Sequence, residues 1–317
     1  MTRWLVTGGA GYIGSHVAQH FIDAGIDVVV LDDLSSGSAD FVPAGAVFEQ
    51  GTLVDRDFVA AVFARHDFSG VVHLAGYKYA GVSVQRPLHA YEQNITATVN
   101  LLRAMEVAGT PSIVFSSSAA VYGTPSVELV DEHTATTPES PYGETKLAGE
   151  WLIADQGRAT GLRHTALRYF NVVGSAGAPD TSPYNLFPLV FRALAAGGVP
   201  KIFGDRYPTP DGTCVRDYVH VTDVAAAHVA AARALETGSL DPVYNLGSGT
   251  GLSVRQIMDE MAAVIGIPFE PTVEAARAGD PARIVASGVA AARDLGWDPQ
   301  HTLTDMIASA WEASTSV

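Results

Sequence analysis

The sequence predicts an α/β fold, a doubly wound parallel sheet of the Rossmann type with a smaller α/β substrate-binding domain. Three observations carry this. Short apolar strands alternate with amphipathic helices through the first half of the chain. A glycine-rich turn joins the first strand to the first helix. The pattern then changes after Asn171, where Gly and Pro become frequent from Gly174 to Pro183.

In order, Trp4–Thr7, Val28–Leu31, Val47–Glu49, Val71–Leu74, Ile113–Ser116 and His164–Arg168 read as buried parallel strands. Helices are expected between them at His16–Ala24, Arg56–Arg65, Leu88–Ala108 and Tyr142–Ala154. Further helices are expected at Leu186–Ala196, Thr222–Leu235, Val254–Ile265 and Leu303–Glu312, with short strands between them. This divides the chain into a dinucleotide-binding domain over residues 1–171 and a substrate domain over residues 172–317, with room for segments that cross over. No long linker separates the halves, so they should pack around a cleft.

Composition narrows the function. With 317 residues, 47% of them hydrophobic, the chain can bury a substantial core without disulfides or metals. The formal net charge of −15 disfavours nucleic acid and anionic membranes as partners. An anionic substrate would therefore need local Arg or Lys residues. The single cysteine, Cys214, rules out an intramolecular disulfide and a Cys-based zinc site, and no HxH or HExxH pair occurs. His73 and His220 read as structural. The N-terminus runs straight into a strand and no apolar run reaches a membrane-spanning length, so a cytoplasmic enzyme is expected.

The segment Thr7-Gly8-Gly9-Ala10-Gly11-Tyr12-Ile13-Gly14 supplies the first chemical signal. Gly8, Gly11 and Gly14 are spaced by three, and glycine lets the backbone approach a pyrophosphate at a helix N-terminus. Asp32 ends the second strand, where a carboxylate accepts hydrogen bonds from ribose hydroxyls and repels a 2′-phosphate. Asp33 follows, and no Arg lies in the next twenty residues, so NAD is favoured over NADP. A merely solvated strand end is the alternative, weakened by the glycine turn upstream.

The second signal is Tyr142 and Lys146, four residues apart on one helical face. A tyrosine with a pKa of about 10 is a poor base until positive charge stabilises its phenolate. Two ordinary helix residues would satisfy that spacing too. The fifth strand changes the balance. It ends in Ser116-Ser117-Ser118, at the edge where parallel strands present ligands, and Ser118 can hydrogen-bond a reacting oxygen. Ser118, Tyr142 and Lys146 together point to oxidation of a hydroxyl.

These residues lie within blocks that extend along nearly the whole chain: TGGAGYIGSH, HLAGYKYAGVSVQRPL, FSSSAAVYG, SPYGETKLAGE, LRYFN, NLFP, IFGDRYPTPDGTCVRDYVHVTD and YNLGSG. With them the chain resembles the UDP-glucose 4-epimerase family of extended short-chain dehydrogenase/reductases. The second block and the one from Ile202 to Asp223 are the most specific. The resemblance implies an isomerase that passes a hydride from C4 of a UDP-hexose to tightly held NAD and back through a 4-keto sugar. It implies Tyr142 as the base, Ser118 sharing its hydrogen bond, and Lys146 on the nicotinamide ribose. NAD would be surrounded by Tyr12, Ile13, Asp32, Asp33, Leu34, Ser35, Ser36, Gly37, Thr52, Leu53, Leu74, Ala75, Gly76, Lys78, Gln93, Ser116 and Phe170, besides the glycines. The UDP-sugar would meet Lys78, Ser118, Tyr142, Asn171, Asn185, Leu186, Lys201, Phe203, Arg216, Arg277, Asp280 and Ile284. A homodimer is implied as well.

The chain departs from the family at several places. Thr52 replaces an Asp that contacts adenine, Gln93 an Asn near the cofactor, and Val172 a proline. The segment from Gly174 to Asn185 is shorter than usual and lacks an acidic stretch. Ile284 stands where a tyrosine in some members excludes N-acetyl sugars. Three other activities fit parts of the same pattern. A 4,6-dehydratase needs an Asp-Glu pair where Ala119 and Ala120 stand, and a non-catalytic NAD sensor would lack Tyr142 or Lys146. A net reductase using free NAD remains the third.

Overall fold

The computed structural model describes residues 2–277 and 280–315. Strand β1 (Arg3–Thr7) leads into α1 (Tyr12–Asp23), β2 (Asp27–Asp32), β3 (Val47–Gln50), α2 (Arg56–Arg65) and β4 (Gly70–His73). Helices α3 (Ala80–Ser83) and α4 (Pro87–Tyr91) follow, and α4 passes through a π-helical turn at Glu92–Thr96 into α5 (Ala97–Ala108). Then come β5 (Ser112–Ser118), α6 (Pro141–Thr160) and β6 (Arg163–Tyr169).

The second half holds β7 (Asn171–Val173), α7 (Leu186–Ala195), β8 (Lys201–Phe203), β9 (Val215–His220), α8 (Val221–Thr237) and β10 (Val243–Leu246). It ends with β11 (Gly251–Ser253), α9 (Val254–Ile265), β12 (Thr272–Glu274), β13 (Arg283–Ile284), α10 (Val289–Leu295) and α11 (Leu303–Thr315).

Seven parallel strands form the main sheet in the order β10-β6-β5-β4-β1-β2-β3. The order runs outward both ways from β1, the doubly wound arrangement expected. Alternation along the strands divides the core. Trp4, Val6, Val28 and Val30 pack towards α1 and α8, with Phe21 and Ala225. Leu5, Val29, Leu31 and Val71 pack on the other face with Val59, Leu101 and Met105 of α2 and α5. Strand residues buried on both faces read as continuous apolar runs, which is why these strands were visible in the sequence.

The smaller lobe packs α7, α9 and α11 around Phe187, Phe191, Ile257, Met261 and Ile307. Beside them β11-β9-β13, with β7 against β9, form a four-stranded sheet, and β8 pairs with β12. The chain does cross over after residue 171. β10 pairs with β6 at the edge of the main sheet, and α8 packs against α1.

Several helices differ from expectation: α1 starts at Tyr12 rather than His16, α8 and α11 run past their expected ends, and α3 and α10 have no expected counterpart. α6 continues to Thr160 rather than stopping at Ala154, because its last turns are polar and show no apolar stripe; the left-handed Gly161 ends it. At the other end Ser140 caps it, accepting from the Gly143 amide at 3.2 Å, with Pro141 in the first turn. The helix expected over Leu88–Ala108 carries the π turn, an insertion that periodicity alone does not reveal.

Candidate active site

The glycine turn is set by contact. A Cβ on Gly14 would lie 2.0 Å from the Gly8 carbonyl oxygen, and one on Gly8 would lie 2.7 Å from the Ala75 amide nitrogen. Gly8 also takes a left-handed φ of 72°. α1 therefore starts directly at the end of β1. Its cap residue Gly11 brings no side chain to the free amides, so they open onto the cleft. This uncapped terminus fits a pyrophosphate.

Asp32 closes the same turn. Its buried carboxylate accepts from the amides of Ala10 at 3.0 Å and Leu34 at 2.8 Å. Burial raises its pKa, and those two bonds pull it back down. Leu34 has a left-handed φ of 61°, and Gly37 lies so close to the Ala10 carbonyl that a Cβ would sit 2.5 Å away. Both shape the loop that carries Asp33, Ser35 and Ser36, and neither lines the cleft.

On the far side of β1, β5 and α6 bring the polar residues together. Lys146 is buried, and its Nζ donates to the Ser116 carbonyl at 2.8 Å. The ammonium lies 5.9 Å from the centroid of the Tyr142 ring and 5.1 Å from that of Phe115. Burial lowers its pKa to about 8, against the pull of Glu150. Burial also raises the Tyr142 phenol above its ordinary value, and a hydrogen bond with Ser118 lowers it again. His73, behind this group, is bonded on both ring nitrogens, to Thr7 Oγ1 at 2.8 Å and Thr98 Oγ1 at 2.9 Å. Burial pushes its pKa down to about 3, so it is a neutral structural group.

The smaller lobe supplies cations. Arg216 on β9 donates to the Val215 carbonyl at 2.9 Å and lies 3.5 Å from Asp280. The Arg277 guanidinium stacks 3.9 Å from the centroid of Phe203, while Lys201 pairs with Glu274 at 2.9 Å. Asn185 donates to Asp180 at 2.8 Å. Ile284 on β13 is buried with Tyr122, Val130, Leu147 and Phe170 in the seam between the lobes.

The glycine turn, the Ser118–Tyr142–Lys146 group and the cations of the smaller lobe border one cleft of about 1530 Å³. That exceeds the roughly 300–1,000 Å³ of a drug-sized pocket and leaves room for a dinucleotide and a nucleotide sugar together. The cleft is lined by Gly8, Gly11, Tyr12, Ile13, Gly14, Asp32, Asp33, Ser35, Ser36, Thr52, Leu53, Leu74, Ala75, Gly76, Lys78, Gln93, Ser116 and Phe170 from the expected cofactor set, with Ser118, Tyr142 and Lys146. Asn171, Asn185, Leu186, Lys201, Phe203, Arg216, Arg277, Asp280 and Ile284 line its other part.

A model of the NAD dependent epimerase/dehydratase family matches residues 4–247. The UDP-glucose 4-epimerase of Streptomyces lividans is 42% identical over 322 residues, covering 99% of this chain and 96% of that one. A crystal structure of UDP-glucose 4-epimerase superposes with a TM-score of 0.95 at 40% identity, covering 99% and 98% of the two chains. That of the Bifidobacterium longum enzyme, in complex with NAD⁺ and UDP, superposes with a TM-score of 0.90 at 34% identity, again covering 99% and 98%. The chain belongs to the NAD dependent epimerase/dehydratase family.

Within this member of the epimerase/dehydratase family, Asn94 has no motif to announce it, and the contacts of Tyr12 and Thr52 are not legible from theirs. Asn94, in the π turn next to Gln93, is buried. Its Oδ1 accepts from the Tyr77 amide at 2.6 Å, and its Nδ2 donates to Thr145 Oγ1 at 2.7 Å. It fixes the loop after β4 to α6. Tyr12 donates to the Gly174 carbonyl at 2.6 Å and so ties the glycine turn to the smaller lobe. Thr52 uses its hydroxyl oxygen to accept from the Val54 amide at 3.3 Å, which leaves its proton for a ligand. The ring of Tyr184, in the segment from Gly174 to Asn185, meets that of Tyr79 with centroids 5.0 Å apart.

Lys146 also makes a measurable signature. The unfolded chain holds this proton to about pH 10.4, whereas the folded chain releases it from about pH 8. Between those values the unfolded state binds more protons, so the contribution of this site to stability rises with pH. The urea midpoint of the wild type relative to Lys146→Met should therefore rise between about pH 8 and pH 10. A constant difference would mean that Lys146 titrates alike in both states.

Proposed function

We propose that this chain catalyses NAD-dependent epimerisation of a UDP-hexose at C4, interconverting UDP-galactose and UDP-glucose through a transient 4-keto sugar, with Tyr142 moving the proton. One observation carries the reading. The Tyr142 phenol is hydrogen-bonded to Ser118 and one helical turn from the buried Lys146, in a cleft with a dinucleotide turn at one end and Arg216 and Arg277 at the other.

NAD, when bound, supplies the acceptor and donor of the hydride. The chain's own residues do the rest. Tyr142 takes the proton from the C4 hydroxyl and returns it, and Ser118 holds the same oxygen. Lys146 keeps positive charge beside the phenolate. Asp32 selects the free ribose of NAD. Arg216 and Arg277 bind the diphosphate, where a guanidinium offers two donors to one phosphate. Phe203 and Lys201 lie at the uridine end. On this reading residues 1–171 mainly hold NAD and residues 172–317 mainly hold the UDP-sugar, in a cytoplasmic enzyme.

The side chain at Ile284 leaves more room than a tyrosine would, which favours acceptance of the N-acetylhexosamine pair as well. The chain also acts as a homodimer on this reading. Leu88 (85% exposed), Val107 (90%) and Trp151 (61%) are apolar side chains left on the outer faces of α4, α5 and α6, which adjoin one another. Large apolar side chains exposed on adjoining helices support association.

Incubated with UDP-galactose, the protein should generate UDP-glucose to a fixed ratio, followed by the anomeric proton signals. Tyr142→Phe should lower turnover by roughly 10²–10⁴-fold, the usual scale for a lost general acid–base, while keeping NAD bound. Full turnover in that variant would remove Tyr142 from the role. UDP-N-acetylgalactosamine should be epimerised by the wild type and by Ile284→Tyr at least tenfold more slowly; equal rates would detach Ile284 from sugar choice. In sedimentation, Trp151→Asp should shift the protein from dimer towards monomer, and a wild type that sediments as a monomer would dismiss the dimer.

A further inference from the structure

The end of β5 is held by an ion pair that the proton relay does not touch. Arg168 on β6 and Glu150 on α6 are 4% and 7% exposed. Arg168 Nε donates to Glu150 Oε1 at 2.8 Å and its NH2 group to Oε2 at 2.5 Å, a bidentate pair. Ser117 donates to the same Glu150 carboxylate. The remaining NH1 group of Arg168 donates to Tyr122 Oη at 2.8 Å, which donates in turn to Asn245 on β10 at 2.8 Å. Both carboxylate oxygens and all three guanidinium nitrogens thus have a partner.

The place of this pair matters. Glu150 is one helical turn beyond Lys146, itself one turn beyond Tyr142, all on α6. Ser117 sits between Ser116, whose carbonyl receives Lys146, and Ser118, which bonds Tyr142. We propose that Glu150 and Arg168 are a positioning pair: by fastening Ser117 to α6 they hold Ser116 against Lys146 and Ser118 against Tyr142. The inference rests on the assignment of Tyr142 and Lys146 made above.

A buried pair is a poor device for stability alone, since desolvation offsets most of its attraction, but it fixes geometry well. It also sets the local field. Glu150 favours the charged form of Lys146. Among the described residues near the phenol and the ammonium, His73 on β4 is neutral, Tyr169 on β6 has its pKa raised by burial and bonds Ser116, and β5 presents the Phe115 ring besides hydroxyls and carbonyls. Lys78, in the loop after β4, acts on Asp32. Removing Glu150 would leave Arg168 as an unbalanced cation behind the relay.

The test reads Tyr142 directly, so that it does not depend on which sugar is turned over. In the NAD-loaded protein the ultraviolet absorbance of the phenolate is followed against pH, each protein being compared with its own Tyr142→Phe counterpart. Glu150→Gln combined with Arg168→Met removes both charges and the tie together, and should move the Tyr142 midpoint to higher pH by about one unit, equivalent to a roughly tenfold change in its ionisation constant, because the Ser118 bond that lowers it is loosened. A midpoint unmoved in this double variant would overturn the proposal, because a pair that serves stability alone would leave this titration where it is.

Ser117→Ala keeps both charges and removes only the tie to β5. It decides the matter if the double variant does not fold. Its kcat should fall about tenfold with KM unchanged, and a wild-type kcat would overturn the proposal. A wild type with no turnover of UDP-galactose or UDP-N-acetylgalactosamine would count against the function proposed above and would leave the phenolate titration to judge the pair by itself.

Discussion

The contact between Gly14 and the Gly8 carbonyl is the constraint on which the rest of the site depends. No side chain fits there, so α1 starts with its first turn against the end of β1. That placement leaves the helix amides open, brings Ala10 within reach of Asp32, and lets Tyr12 cross to the smaller lobe at Gly174. It also seats α1 where α8 covers it, joining the cofactor turn to the core around Trp4 and Phe21. A local steric fact therefore fixes both a ligand surface and a packing layer.

A second tension runs through β5. A parallel sheet covered on both faces is an apolar environment, and a polar group placed inside it needs a partner. Ser116, Ser117 and Ser118 stand at its edge, and each is engaged differently. Ser116 bonds Tyr169, Ser117 bonds Glu150, and Ser118 is left for Tyr142 and a ligand. Three consecutive residues of one type thus serve three ends, because successive side chains on a strand point to opposite faces and the last one reaches the cleft.

Much of this was legible in the sequence, for physical reasons. Apart from the exposed edge strand β3, the strands of the main sheet are buried on both faces, so Trp4–Thr7 or Ile113–Ser116 read as largely apolar runs. The glycine turn, Asp32 and the Tyr142–Lys146 spacing are local in sequence, and local spacing survives without a structure. What could not be read is long-range pairing. Nothing near Glu150 points to Arg168, and nothing near Asn94 points to Tyr77. The π turn that presents Gln93 inserts a residue into a helix whose apolar pattern is otherwise unbroken. Leu34 and Gly37, which the resemblance puts beside the cofactor, owe their conformations to the backbone turn after Asp32, a left-handed φ at one and a close approach to the Ala10 carbonyl at the other.

The return of the chain to the main sheet has a consequence for how the molecule can be made and divided. β10 covers the open side of β6, and α8 covers α1, yet α8 begins about fifty residues and β10 about seventy residues after β6 is complete. Until they arrive, the nascent first half carries a bare strand edge and an uncovered apolar helix face, the kind of surface that invites aggregation. Cutting the chain at the border of the two lobes would leave the first fragment in that same unfinished condition. The cofactor lobe is thus a spatial unit without being an independent stretch of polypeptide, and its evolution as a movable module would require carrying the later segments with it.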